Sequence, residues 1–197
     1  MYEIKFTPRE YQKNIVETAK NKNTLVVLGT GLGKTAISVM LSLERLKKFP
    51  ESKVLILAPT KPLANQHYQT FINDTNFPKE KIAVVTGQIS PKKREQIYKE
   101  AKIILATPQT IQFDISNNRI NLGDTSTLTI DECHRSRQKY ANTIVAQYYM
   151  KQSHFPRILA LTASPGSTKE KINEIKENLF IEAIEMRSTE DLDVKNY

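Results

Sequence analysis

Short uninterrupted runs of apolar and β-branched residues alternate along the chain with longer stretches in which apolar positions recur every three or four residues. The runs cover Thr24 to Leu28, Lys53 to Ala58, Lys81 to Thr86, Lys102 to Ala106, Thr127 to Ile130 and Arg157 to Leu161. A run of this length without polar alternation is the pattern of a strand buried on both faces. Between the runs, Ala36, Ile37, Met40, Leu41, Leu43 and Leu46, and later Ile172, Ile175 and Leu179, fall at helical spacing. The alternation predicts βαβ units and an α/β fold, a doubly wound, mainly parallel sheet with helices on both faces and ligands at the carboxyl ends of its strands. Pro59, Pro62, Pro91, Pro108, Pro156 and Pro165 fall in loops or first turns, as a fixed φ and a missing N–H require. No repeat and no Gly/Ser-rich linker divides the chain, so residues 1–187 are expected to form one domain. Residues 188–197, where periodicity is lost, are expected to be a domain end or linker.

The first run leads into Gly29-Thr30-Gly31-Leu32-Gly33-Lys34-Thr35, which opens a helical stretch. Strand, glycines, Lys-Thr and helix in this order are the context of a phosphate-binding loop. Glycines let backbone N–H groups curl around phosphate oxygens at a closeness that a Cβ would obstruct, and the helix N-terminus adds its positive dipole end. Lys34 supplies a mobile charge for the β- and γ-phosphates, and the Thr35 hydroxyl suits Mg²⁺. The usual spacing would put Gly or Ala where Leu28 stands. A plain Gly-rich turn would not require the Lys-Thr pair.

About one hundred residues later the fifth run ends in Asp131-Glu132-Cys133-His134. Two adjacent acids at the end of a buried strand fit two roles: Asp131 holding Mg²⁺, and Glu132 polarising the water that attacks a γ-phosphate. An acidic helix N-terminus would look similar in isolation. Cys133 and His134 are sequence neighbours with no orienting third group, which argues against a thiol nucleophile.

Charge narrows the partners. Of 197 residues, 29 are Lys or Arg and 21 are Asp or Glu, giving a formal net charge of +8, which favours polyanions. Composition, 39% hydrophobic and 25% charged, excludes collagen-like and largely disordered classes. No apolar run reaches the roughly 18 residues of a membrane span, and the charged N-terminus does not read as a secretory signal. One cysteine suits a reducing, cytoplasmic setting, and the histidines at 67, 134 and 154 offer no metal-ligand spacing.

The blocks LGTGLGKT, APTKPLANQH, ATPQT, IDECH and LTASPGS together resemble motifs I, Ia, Ib, II and III of superfamily 2 helicases, in order across almost the whole chain. The DECH form resembles the Dicer and RIG-I branch. PTKPL, TPQT and LTASPGST are most similar to the archaeal Hef helicase and Fanconi anaemia M-type relatives, which usually have Pro where Gly29 stands and commonly Ala where Cys133 stands. The resemblance implies a RecA-like P-loop domain with ATP and Mg²⁺ as cofactors. Thr30, Gly31, Leu32, Gly33, Lys34, Thr35 and Ala36 would hold the nucleotide, with Lys34, Asp131, Glu132 and His134 catalytic and Thr35 and Asp131 at the metal. Phe6-Thr-Pro-Arg9-Glu-Tyr11-Gln12 resembles the adenine-recognition motif, Gln12 reading the base edge and Arg9 packing near it. Thr162 and Ser164 would couple the ATP site to the nucleic-acid site, although a Ser/Thr turn at a strand end accounts for the same residues.

In this family the loops at Pro59, Thr60 and Lys61 and at Thr107, Pro108, Gln109 and Thr110 grip phosphates, and Gly87 is expected to join them. Lys92, Lys93 and Arg94 open a helix that either adds salt-dependent attraction or is a solvated face. No Q-x-x-G-R-x-G-R segment is present, so the resemblance implies a first motor domain, with a second RecA-like domain as partner supplying an arginine finger. Weak ATP binding, little hydrolysis and no unwinding are then expected of the piece in isolation. DNA is favoured and RNA remains open, since phosphate contacts barely distinguish them. A GTPase would carry N-K-x-D after a strand, and a small kinase would need a lid and acceptor pocket; neither pattern is found. Intact Lys34, Thr35, Asp131 and Glu132 argue against a non-catalytic binding module.

Overall fold

Among the described residues seven strands build the sheet, one more than the apolar runs predict. In the computed structural model the described residues are 1–164 and 168–197, with the side chains of 136–138 excepted, so Pro165, Gly166 and Ser167 of the last motif lie outside them. The strands are β1 (Thr24–Leu28), β2 (Lys53–Leu57), β3 (Ile82–Val85), β4 (Ile103–Ala106), β5 (Thr125–Ile130), β6 (Ile158–Thr162) and β7 (Ala183–Arg187). They lie in the order β3-β4-β2-β5-β6-β1-β7, and every neighbouring pair is parallel. β1 to β6 match the six predicted runs to within two residues at each end. The additional strand, β7, pairs with β1 from Thr24↔Ala183 to Leu28↔Arg187.

Among the described residues seven α-helices cover the faces: α1 (Glu10–Asn21), α2 (Lys34–Lys48), α3 (Lys61–Asp74), α4 (Pro91–Glu100), α5 (Pro108–Ser116), α6 (Ser136–Gln152) and α7 (Lys169–Asn178). Alternate strand residues feed opposite layers. Leu25, Val27, Leu55, Leu57, Leu128 and Ile130 pack with Tyr98, Ile111, Val145 and Tyr149 of α4, α5 and α6. Val26, Leu28, Val54, Ile56, Leu159 and Leu161 pack on the other side with α1, α2 and α3. Burial on both faces is why the runs are continuously apolar, each fully buried Leu, Ile or Val contributing about 1.5–3 kcal/mol.

Residues beyond β7 turn back onto α1. Arg187 Nε donates to Asp193 Oδ2 at 2.8 Å, and Val194 is buried against the Tyr11 and Ile15 cluster. Among the described residues no helix is long and apolar enough to cross a membrane.

The strand order sets out the functional edge. The carboxyl ends of β1, β6 and β5 lie side by side, and those of β2, β4 and β3 continue the row on the far side of β5.

Candidate nucleotide site and nucleic-acid face

β1 ends at Leu28 and α2 opens at Lys34, so residues 29–33 must reverse the chain over the helix N-terminus. Gly31 (φ 83°) and Gly33 (φ 85°) are left-handed, a region that costs an L-residue roughly 1–2 kcal/mol. At Gly33, the N-cap of α2, a Cβ would also collide with the Gln12 amide nitrogen. The N–H groups of the first helical turn have no intrahelical partner, and the dipole makes that end positive. Lys34 Nζ donates to the Leu28 carbonyl at 3.0 Å, lying back along the loop.

Helix α1 braces this loop. The Tyr11 hydroxyl donates to the Leu32 carbonyl at 2.6 Å, and Gln12 Nε2 donates to the same oxygen at 3.4 Å. Gln12 Oε1 accepts the Arg9 N–H at 2.9 Å, which settles which end of the amide is oxygen. Arg9 Nη1 donates to the Tyr11 hydroxyl at 3.0 Å. Tyr197, from the chain end, sets its ring 5.4 Å from the Arg9 guanidinium and accepts the Glu10 N–H at 3.1 Å. Gln12 therefore stands against Leu32 and Gly33, and Arg9 is joined to the loop through Tyr11, with Tyr197 an unforeseen neighbour.

Across β6, the end of β5 presents the acids. Asp131 N–H donates to Leu57 O at 2.9 Å, continuing the ladder to β2, and Cys133 N–H donates to Leu161 O of β6 at 3.1 Å. Between them the backbone turns left-handed at Glu132, with φ 52°. Such a turn in a non-glycine residue marks a place where surrounding structure overrides local preference. Glu132 Oε2 lies 3.6 Å from both His134 Nε2 and Arg135 Nε. Asp131 is bonded at both oxygens: Oδ1 accepts the Glu132 N–H at 2.9 Å, and Oδ2 is 2.8 Å from His67 Nε2. Thr162, at the end of β6, places its hydroxyl 2.7 Å from His134 Nδ1 and donates to the Ser164 carbonyl at 2.9 Å, accepting the Ser164 N–H at 3.2 Å. That hydroxyl has one proton, so with Ser164 O as its acceptor it receives the bond from His134.

The remaining predicted residues gather at the ends of β2, β4 and β3. Thr60 caps α3, accepting the Leu63 N–H at 3.4 Å, with Pro59 before it and Pro62 in the first turn. Lys61 Nζ donates to Gln88 Oε1 at 2.7 Å, joining this loop to the one that carries Gly87. Thr107 and Thr110 pair their hydroxyls at 2.8 Å at the start of α5, whose first residue is Pro108. A Cβ on Gly87 would lie 3.9 Å from Thr110 Oγ1, and Gly87, Gln109 and Thr110 line a common hollow of about 380 Å³. The N-termini of α3, α4 and α5 thus open on one surface, a suitable lining for consecutive phosphates.

The DEAD/DEAH box helicase profile matches residues 9–172, from Arg9 beside the loop to the start of α7. The chain belongs to that helicase family. A Methanocaldococcus jannaschii protein, provisionally named an ATP-dependent RNA helicase, is 47% identical over 96% of the chain and 24% of its own length. The ATP-dependent DNA helicase MPH1 of Scheffersomyces stipitis is 38% identical over all of the chain and 19% of its own length. The crystal structure of the Pyrococcus furiosus Hef helicase domain superimposes with a TM-score of 0.91 at 48% identity, covering 96% of this chain and 40% of that one. The RecA-like fold and the Hef-type kinship that the motifs implied are thereby established. The chain spans a quarter or less of the curated relatives it matches.

In this helicase domain one sequence expectation needs revising. Lys92 and Lys93 are exposed, but Arg94 is buried with its guanidinium charge already paired by Asp114. Sequence reading also passed over His67 and Tyr11, which touch the acid and the loop. The Cys133 thiol is pushed up to about 12 by burial first and by the neighbouring Asp131 charge second, so it stays a thiol at neutral pH. Folded protein is expected to resist iodoacetamide at mildly alkaline pH and to be alkylated fully once denatured. Intact-mass measurement checks this; rapid alkylation of the folded chain would contradict the packing at Cys133.

Proposed function

We propose that this chain is the ATP-binding first motor domain of a superfamily 2 translocase. It couples ATP hydrolysis to remodelling of branched or duplex DNA in repair, with a second RecA-like domain in the same polypeptide as its partner, reached through residues 188–197. The single observation that carries this reading is the division of one sheet edge. Nucleotide-type residues stand at β1, β6 and β5, phosphate-type donors at β2, β4 and β3, and Asp131 lies at the join.

Lys34 leaves the Leu28 carbonyl for the β- and γ-phosphates, while the N–H groups from Thr30 to Ala36 hold their oxygens. Arg9 and Gln12 face the base. The Thr35 hydroxyl and Asp131 carboxylate are hard oxygen donors, the set that Mg²⁺ prefers, so the residues fit that ion. Bound there, it would supply positive charge that offsets that of the phosphates. Glu132 accepts the proton of the attacking water. His134, held by Thr162, and Ser164 relay the state of the nucleotide side to the phosphate loops. The arginine finger of a second domain is worth roughly 10³–10⁵ in rate, so the chain alone is expected to turn over ATP slowly. The lone buried thiol suits a cytoplasmic, reducing location.

DNA is favoured because the motifs resemble the Hef type and the MPH1 relative is named a DNA helicase, while the DECH wording and the RNA-helicase name of the Methanocaldococcus relative favour RNA. The deciding experiment is ATP turnover by the chain extended through its second motor domain, with forked DNA, duplex DNA or duplex RNA at fixed salt. Forked DNA is expected to stimulate most. Stimulation by RNA alone would keep the motor and reassign the substrate.

A further inference from the structure

His67 is only 3% exposed, on the face of α3 that turns inward with Ala64 and Phe71. The bland occupant of such a position is apolar. Here the imidazole Nε2 meets Asp131 Oδ2 at 2.8 Å, and since a carboxylate offers only lone pairs, the ring is the donor. Nδ1 is buried with no hydrogen-bond partner among the described residues. An orphaned buried nitrogen costs free energy and calls for a compensating role. The one bond the ring makes provides that role. Asp131 has its Oδ1 fixed by the Glu132 N–H, and the His67 bond removes the remaining freedom of its carboxylate plane. Groups standing behind a metal-ligating carboxylate aim its free lone pairs and set the affinity of the site.

We propose that His67 is a positioning residue which orients Asp131 toward a divalent cation and thereby sets how much Mg²⁺ strengthens nucleotide binding. The proposal rests on the assignment of residues 30–36 and Asp131 to a Mg-nucleotide site. His67 and Thr60 share one helix, so the orientation of the acid is tied to the element whose N-terminus faces the phosphate loops.

The test uses equilibrium binding of a fluorescent ATP analogue to the 197-residue chain, titrated with and without Mg²⁺, for the native protein, His67→Ala and His67→Gln. His67→Ala is expected to leave Mg²⁺-free nucleotide binding unchanged and to raise the Mg²⁺ concentration for half-maximal enhancement about 10-fold, the lower end for loss of an orienting partner. Glutamine places an N–H donor near the position of Nε2 and is expected to restore most of that loss. An unchanged Mg²⁺ requirement in His67→Ala overturns the proposal, as does equal weakening with and without Mg²⁺, which indicates a packing role alone. Native protein that binds no nucleotide at any Mg²⁺ concentration overturns the underlying site assignment instead, so the two failures are distinguishable.

Discussion

Glu132→Gln, made in the chain extended through its second motor domain, is expected to lower ATP turnover by about 10²–10⁴-fold, the usual contribution of a positioned general base, while leaving ATP binding intact. The amide keeps the size of the carboxylate, so the left-handed turn at Glu132 and the contacts toward His134 and Arg135 survive the change. What is lost is the lone pair that takes a proton from water. Lys34→Ala acts at the other end of the reaction. Its ammonium is the only cation within the loop of residues 29–35, and removing it is expected to abolish Mg-ATP binding and hence turnover. Phosphate release together with analogue binding separates the two variants. Turnover retained by Glu132→Gln would remove Glu132 from the base role, and binding retained by Lys34→Ala would remove Lys34 from the phosphate site.

Continuous burial made β1 to β6 legible, because a strand covered on both faces leaves no polar position to interrupt the run. β7 escaped for the converse physical reason. It is an edge strand, every residue of Ala183–Arg187 is partly or fully accessible, and Ala-Ile-Glu-Met-Arg carries no apolar run. The tail after it escaped because Val194 is a single apolar anchor and Tyr197 binds through a ring contact and a hydroxyl, none of which leaves a period. At the proposed nucleotide site, Gly31, Gly33, Lys34 and Asp131 were readable because their demands are local: a left-handed turn, a helix start, a strand end. His67 was not, since its role depends on α3 crossing to the end of β5. The usable signal was helical spacing, because Ala64, His67 and Phe71 form the inward stripe of α3 and a histidine in such a stripe needs a partner.

The same kind of signal underlies the largest expected effect on stability. Arg94 and Tyr98 are one turn apart on the inward side of α4, and Asp114 lies between Ile111 and Ile115 on the buried face of α5. Arg94 Nε and Nη2 each donate to an Asp114 oxygen at 2.7 Å, Nη1 donates to the Ile89 carbonyl at 2.6 Å, and the Tyr98 hydroxyl donates to Asp114 Oδ2. Burial, then the hydrogen bond to Asp114, raises the Tyr98 phenol well above its ordinary range, so it remains a donor. Truncating Arg94 to alanine leaves a carboxylate with no exposed surface to the Tyr98 hydroxyl and the Arg119 guanidinium 3.6 Å away, a change expected to destabilise the domain by about 3–5 kcal/mol. Asp114→Ala strands the guanidinium at similar cost. Because the penalty comes from the uncompensated partner, Arg94→Met with Asp114→Leu is expected to cost much less than the two single changes added together. Lys92→Ala and Lys93→Ala, on the exposed side of the same turn, should stay within about 0.5 kcal/mol. Urea unfolding followed by circular dichroism measures all five proteins against the native chain. Additive losses in the double variant would mean that the two charges stabilise independently, and the hollow shared by Arg94, Gly87 and Thr110 would then owe its shape to α4 and α5 packing rather than to this pair.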